Sequence, residues 1–155
     1  MEDGPSYQIE VTRQTDPGDF DEQRLQEAIE LALRRHRCPQ AQLSIALVDD
    51  AEIARLNQEY LGHAGPTDVL SFDLAEPDQD ALEGQVVVSV DTARRQARRR
   101  GHSVEAEVVL YCLHGTLHLL GHDDDQPAEA ERMHHTEDSL LTELGFGAVY
   151  GTQSP

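Results

Sequence analysis

The chain has 155 residues, enough to bury a core without staples, and reads as one domain over 1–155. It carries a formal net charge of −18, from 30 acidic and 12 basic residues, and two cysteines, Cys38 and Cys112. No apolar run reaches the roughly 18 residues of a membrane span, the acidic start MEDGPSYQIE lacks the regions of a secretory signal, and two cysteines make no disulfide framework, so the expected setting is a reducing cytoplasm.

So acidic a chain argues at first against nucleic acid, because phosphate binding draws on Lys and Arg. The distribution qualifies that. Every basic residue is arginine, five of them within Arg94–Arg100 and three within Arg34–Arg37. Such clusters read either as solvated helix faces or as tracks for a phosphate backbone.

In chain order, Tyr7–Arg13 alternates apolar and polar residues, as a half-buried strand does. After a Pro17-Gly18 turn, Asp21 is placed to cap a first helix, with Phe20 and Leu25 at hydrophobic-staple positions. That helix carries its stripe on Leu25, Ala28, Ile29, Ala32 and Leu33, and Cys38-Pro39 ends it. Leu43–Val48 is a short continuous apolar run, as in an interior strand. Asp49 or Asp50 then caps a second helix with Ile53, Leu56 and Tyr60 on its apolar face. Val69–Phe72 predicts a third strand and Gln85–Val90 a fourth, separated by an acidic, turn-rich stretch. Asp91–Arg100 predicts a short arginine helix.

Ser103 caps the next helix, and here the chemistry concentrates. EVVLYCLHGTLHLL is apolar on nearly every side, which predicts a helix buried in the middle of the domain. It carries His114 and His118 four residues apart, one above the other on one face. Gly121 supplies a helix stop, and His122, Asp123, Asp124 and Asp125 follow. His114, His118, Gly121 and Asp124 stand at offsets 0, 4, 7 and 10, the spacing of a H-x-x-x-H-x-x-G-x-x-H zinc helix with aspartate as third ligand. His122, Asp123 and Asp125 compete with Asp124 for that place. Three protein ligands leave a position open, as catalytic zinc requires. A glutamate directly after the first histidine would supply a peptidase's general base, but that position is Gly115, so peptidase chemistry by that route is disfavoured.

Asp125-Gln126-Pro127 opens a last helix that stops at Gly145. Its stripe is Ala130, Met133, Glu137, Leu140, Leu141 and Leu144. Glu137 within that face is placed either to orient a ligating histidine or to snorkel, half exposed, into solvent. Residues from about 146 to 155 read as a loose tail. Alternating strands and helices early in the chain imply parallel pairing, and strands three and four, joined without a helix, imply one antiparallel pair. The expected fold is α+β, with α/β-like beginnings: a four-stranded mixed sheet against the buried histidine helix.

Leu56-Asn57-x-x-Tyr60, Pro66-Thr-Asp-Val-Leu-Ser-Phe72, His114-Gly-Thr-Leu-His-Leu-Leu-Gly121 and Met133-x-x-x-Glu137 occur in that order. Together they resemble the YbeY family, from about Leu56 to Leu144. The resemblance implies a zinc-dependent, single-strand-specific endoribonuclease of the cytoplasm. It implies a role in ribosomal RNA maturation and ribosome quality control, with the ribosome or its small subunit as partner and no DNA substrate. One zinc per chain, on His114, His118 and Asp124, would act through bound water or by polarising a phosphate. Arg94, Arg95 and Arg98 are the candidate substrate-binding residues. Three positions depart from the family pattern. Its G-Y-D-H reads Gly121-His122-Asp123-Asp124, an arginine after the tyrosine is Leu61, and a Gly-Asp before the fourth strand is Gly84-Gln85. The protein base is unassigned among Asp123, Glu59 and His122. Rival readings are a metal-dependent hydrolase of another substrate and a non-catalytic ribosome-assembly factor that keeps the zinc site.

Overall fold

A computed structural model describes residues 4–147. Its first strand, β1 (Ser6–Arg13), pairs in parallel with β2 (Gln40–Val48), and α1 (Glu22–Arg35) makes the crossover between them. Asp21 caps α1 by accepting from the Gln23 amide, and Phe20 packs against the core cluster that contains Leu25. Next come α2 (Asp50–Leu61), β3 (Val69–Asp73) and β4 (Leu82–Ser89). The sheet runs β1-β2-β4-β3, with β2 and β4 parallel and β3 and β4 antiparallel. This is the mixed four-stranded sheet of an α+β fold that the element order implied.

β4 ends one residue earlier than its apolar run. Ser89 turns from strand to cap, its hydroxyl accepting from the Thr92 amide, so Val90 opens α3 (Val90–Arg100) and is buried there. A side-chain cap has outcompeted one more ladder residue.

Strand alternation divides the interior in two. Leu43, Ile45 and Leu47 of β2 and Val86 and Val88 of β4 face the larger core, with α1 and α4 (Val104–Leu119) against them. Ala46, Val48, Val87 and Leu70 face the other way, onto Ile53 and Leu56 of α2. That second face is only partly covered. A groove of about 410 Å³ lies along Leu56, Tyr60, Phe72, Leu74 and Gln85. Tyr60, expected on the apolar face of α2, is 62% exposed at its rim, its ring edge-on to Phe72.

Val108, Val109, Leu110, Cys112, Leu113 and Leu117 of α4 are all buried, so this helix is the centre of the domain. A fully buried side chain of this size contributes about 1.5–3 kcal/mol. Gly115 brings the helix close to the sheet. A Cβ there would stand 2.7 Å from Val86 Cγ1 and 3.3 Å from Val69 Cγ2, so the missing side chain is space taken by β3 and β4. α5 (Pro127–Glu143) closes the core over α4 and α1, burying Met133, Glu137, Leu140 and Leu141. Phe146, assigned to a loose tail, is instead packed. Its amide donates to the Leu141 carbonyl and its ring lies under the Arg24 guanidinium. Residues 148–155, the rest of that expected tail, lie outside the described residues.

Candidate metal centre

Three side chains converge on one point. His114 and His118 project from the last two turns of α4. Gly121, in the left-handed region at φ +105°, then reverses the chain, and Asp124 returns on the loop before α5. His114 Nε2 and His118 Nε2 stand 3.1 Å apart, and Asp124 Oδ2 is 3.6 Å from each. Among the alternatives for the third place, His122 directs its ring at His36, Nε2 to Nε2 at 2.7 Å, and Asp123 accepts from the Asp125 amide. Asp124 is the residue grouped with both imidazoles.

Hydrogen bonds fix both rings from behind. His114 Nδ1 donates to Glu137 Oε2 at 2.7 Å, and His118 Nδ1 to the His122 carbonyl at 3.1 Å. A carbonyl only accepts, so each neutral ring carries its proton on Nδ1 and a lone pair on Nε2. Two lone pairs and a carboxylate oxygen therefore face one another with no shared proton. A cation resolves that conflict. Ligands about 2.0–2.1 Å from a tetrahedral ion are separated by about 3.3–3.4 Å, and the three distances bracket that value. The donor set and its spacing fit a metal.

Glu137 is fully buried, and its second oxygen, Oε1, has no partner among the described residues. Of its two possible roles, the half-exposed, snorkelling one is set aside, because α5 seals this carboxylate against His114. Sequence reasoning passed over Glu107, buried on α4 seven residues before His114. It accepts from Arg100 at 3.3 Å. A lone acid inside an otherwise apolar helix was its one available signal.

The candidate arginines sit on α3. Arg95 donates to Asp50 at 2.8 Å, and Arg94 to the Asp16 carbonyl, while Arg98 is exposed. Asp50 is partly desolvated, but its bonds from Arg95, Ser89 and Thr92 outweigh that and hold its pKa below the ordinary value. Part of the cluster's charge is thus spent within the fold. Glu59, a candidate base, pairs with Arg55 at 2.7 Å.

Burial opposes the charging of His114, yet its bond to Glu137, with the charges of Glu137, Asp68 and Asp124, prevails and raises its pKa above 6.5. A raised histidine stabilises the metal-free fold fully below pH 6.5 and loses that contribution as pH rises through its folded pKa. A metal must displace that same proton. Below the folded pKa, apparent affinity should therefore fall about tenfold per pH unit. The gain in melting temperature on adding zinc should grow as the buffer moves from about pH 6 to about pH 8. A pH-independent gain would show that His114 holds no competing proton.

The fold and site define a class: an α+β domain whose central helix and following glycine turn present two histidines and a carboxylate to one point. The family model described as Endoribonuclease YbeY matches residues 8–145. The chain belongs to the YbeY family. Among its relatives, an Endoribonuclease YbeY of Carboxydothermus hydrogenoformans is 42% identical over 140 residues, covering 88% of this chain and 97% of that one. Another, from Desulfitobacterium hafniense, is 45% identical over 116 residues, covering 69% and 74%. The solution structure of TM1509 from Thermotoga maritima superimposes with a TM-score of 0.61 at 27% identity, covering 87% of this chain and 90% of that one. No helix among the described residues is long and apolar enough to cross a membrane.

Proposed function

We propose that this protein is a metal-dependent, single-strand-specific endoribonuclease of ribosomal RNA maturation and ribosome quality control, working in the cytoplasm on the ribosome or its small subunit. The carrying observation is the convergence of His114 Nε2, His118 Nε2 and Asp124 Oδ2 at 3.1–3.6 Å, with both histidines bonded at Nδ1. Its nitrogen and carboxylate donors suit a single zinc ion. Bound there, zinc supplies Lewis acidity toward a phosphoryl oxygen and an attacking water.

The chain's own residues hold and orient. His114 and His118 present lone pairs from a helix locked in the core, Glu137 fixes the His114 tautomer, and Asp124 closes the set from the loop. Single-stranded RNA is read as approaching past the arginines of α3, where Arg95 and Arg98 are exposed and Arg94 is half-buried.

The test compares cleavage of a single-stranded ribosomal RNA fragment with its duplex, using wild type and His118→Ala. The expected result is cutting of the single strand alone, lost in the variant. Full cutting by a metal-free His118→Ala would overturn the reading. A metal-filled wild type that leaves RNA intact would point instead to a non-catalytic assembly factor.

A further inference from the structure

Outside the metal centre, a pair of imidazoles joins two distant segments. His36 is the C-cap of α1, and His122 follows the glycine turn of α4. Their Nε2 atoms are 2.7 Å apart and their rings meet edge to face, centroids 4.9 Å apart at 72°. His36 Nδ1 donates to the Ala32 carbonyl at 2.8 Å. That bond leaves a lone pair on its Nε2, so His122 Nε2 is the donor of the pair.

His122 is thereby held on three sides. Its ring is tied to α1, its amide donates to the Leu117 carbonyl at 3.0 Å, and its carbonyl accepts from His118 Nδ1 at 3.1 Å. Asp124 lies two residues further on. The chain of bonds runs from the end of α1 through His36 and His122 to the back of His118. We infer that His36 is a positioning residue of the metal centre. Acting through the His122 ring, it fixes the 121–124 loop so that the His122 carbonyl locks His118 and Asp124 reaches the metal. The inference rests on the metal reading proposed above.

The need for such a tether follows from the third ligand. Aspartate has a shorter side chain than histidine, so a loop carrying Asp124 tolerates less displacement before the ligand loses contact. Two imidazoles with complementary tautomers supply a directional anchor at the start of that loop. Groups behind a ligand typically carry about 10–100-fold in metal affinity.

The test titrates Co²⁺ into wild type, His36→Ala, His36→Gln, His122→Ala and the double alanine variant, following the visible absorption of the bound ion. His36→Ala should weaken binding about 10–100-fold and alter the spectrum. His36→Gln, whose amide oxygen replaces the Nε2 acceptor, should recover most of the affinity. In the His122→Ala background, His36→Ala should have little further effect. A residue that merely caps α1 would lower the melting temperature in both backgrounds and leave affinity and spectrum alone; that result overturns the inference. A second overturning result needs no metal: ¹⁵N spectra of the metal-free protein in which His36 is not protonated on Nδ1 or His122 not on Nε2. Failure of the wild type to bind Co²⁺ would instead remove the metal reading and this inference with it.

Discussion

Replacing Glu137 by leucine should weaken metal binding by about 10–100-fold while leaving the fold intact. The carboxylate is completely buried and its Oε2 is 2.7 Å from His114 Nδ1. Leucine keeps much of the volume but removes the acceptor, so the ring is free to carry its proton on Nε2, the atom that must face the ion. Packing on α5 should suffer little, because Met133, Leu140 and Leu141 line the same buried face. Glu137→Gln should fall between, since it retains an acceptor but buries an amide where Oε1 has no partner among the described residues. Competition against a chelator gives the numbers. Unchanged affinity in Glu137→Leu would mean that His114 is oriented by something else.

The second large effect is on stability. Glu107 lies fully buried on α4, its oxygens 3.3 and 3.5 Å from Arg100 Nη1, and the Tyr111 hydroxyl pKa is pushed up by burial and then by the charge of Glu107. Arg100 is the closing residue of α3, with its side chain 24% exposed. Truncating Arg100 to alanine leaves the carboxylate charged and desolvated. Breaking such a pair costs about 3 kcal/mol at the lower end of its range, the appropriate end given partial solvent access. For a domain of this size that is a drop of about 6–12 °C in melting temperature. Combining Arg100→Met with Glu107→Gln should restore most of the loss, because the cost comes from the stranded charge. Calorimetry on the three proteins decides it, and equal destabilisation in the single and double variants would assign the effect to packing.

These two carboxylates mark where the sequence stopped being legible. The strands, the helices and their caps could be read locally. Asp21 and Ser103 are capping side chains, Gly121 and Gly145 sit at positive φ beyond α4 and α5, and the order of elements implied the parallel and antiparallel pairs. The spacing of His114, His118 and Asp124 was legible too, because an i, i+4 pair and a glycine turn depend only on local geometry. Burial of Glu137 was not, since it depends on α5 crossing α4 twenty-three residues away in sequence. The His36–His122 bond, eighty-six residues apart, left no trace in either segment. Tyr60 erred in the other direction: its helical position is apolar, but the sheet face beneath it is open, so the ring remains at the rim of a groove.

We propose that Asp124 completes a metal site with His114 and His118. It is tested most directly by the zinc content of purified wild type beside Asp124→Ala. The expected result is one zinc per wild-type chain and a clear loss in the variant, with the fold retained by circular dichroism. Full zinc in Asp124→Ala would assign the third ligand to a neighbour, and no zinc in either protein would contradict the account.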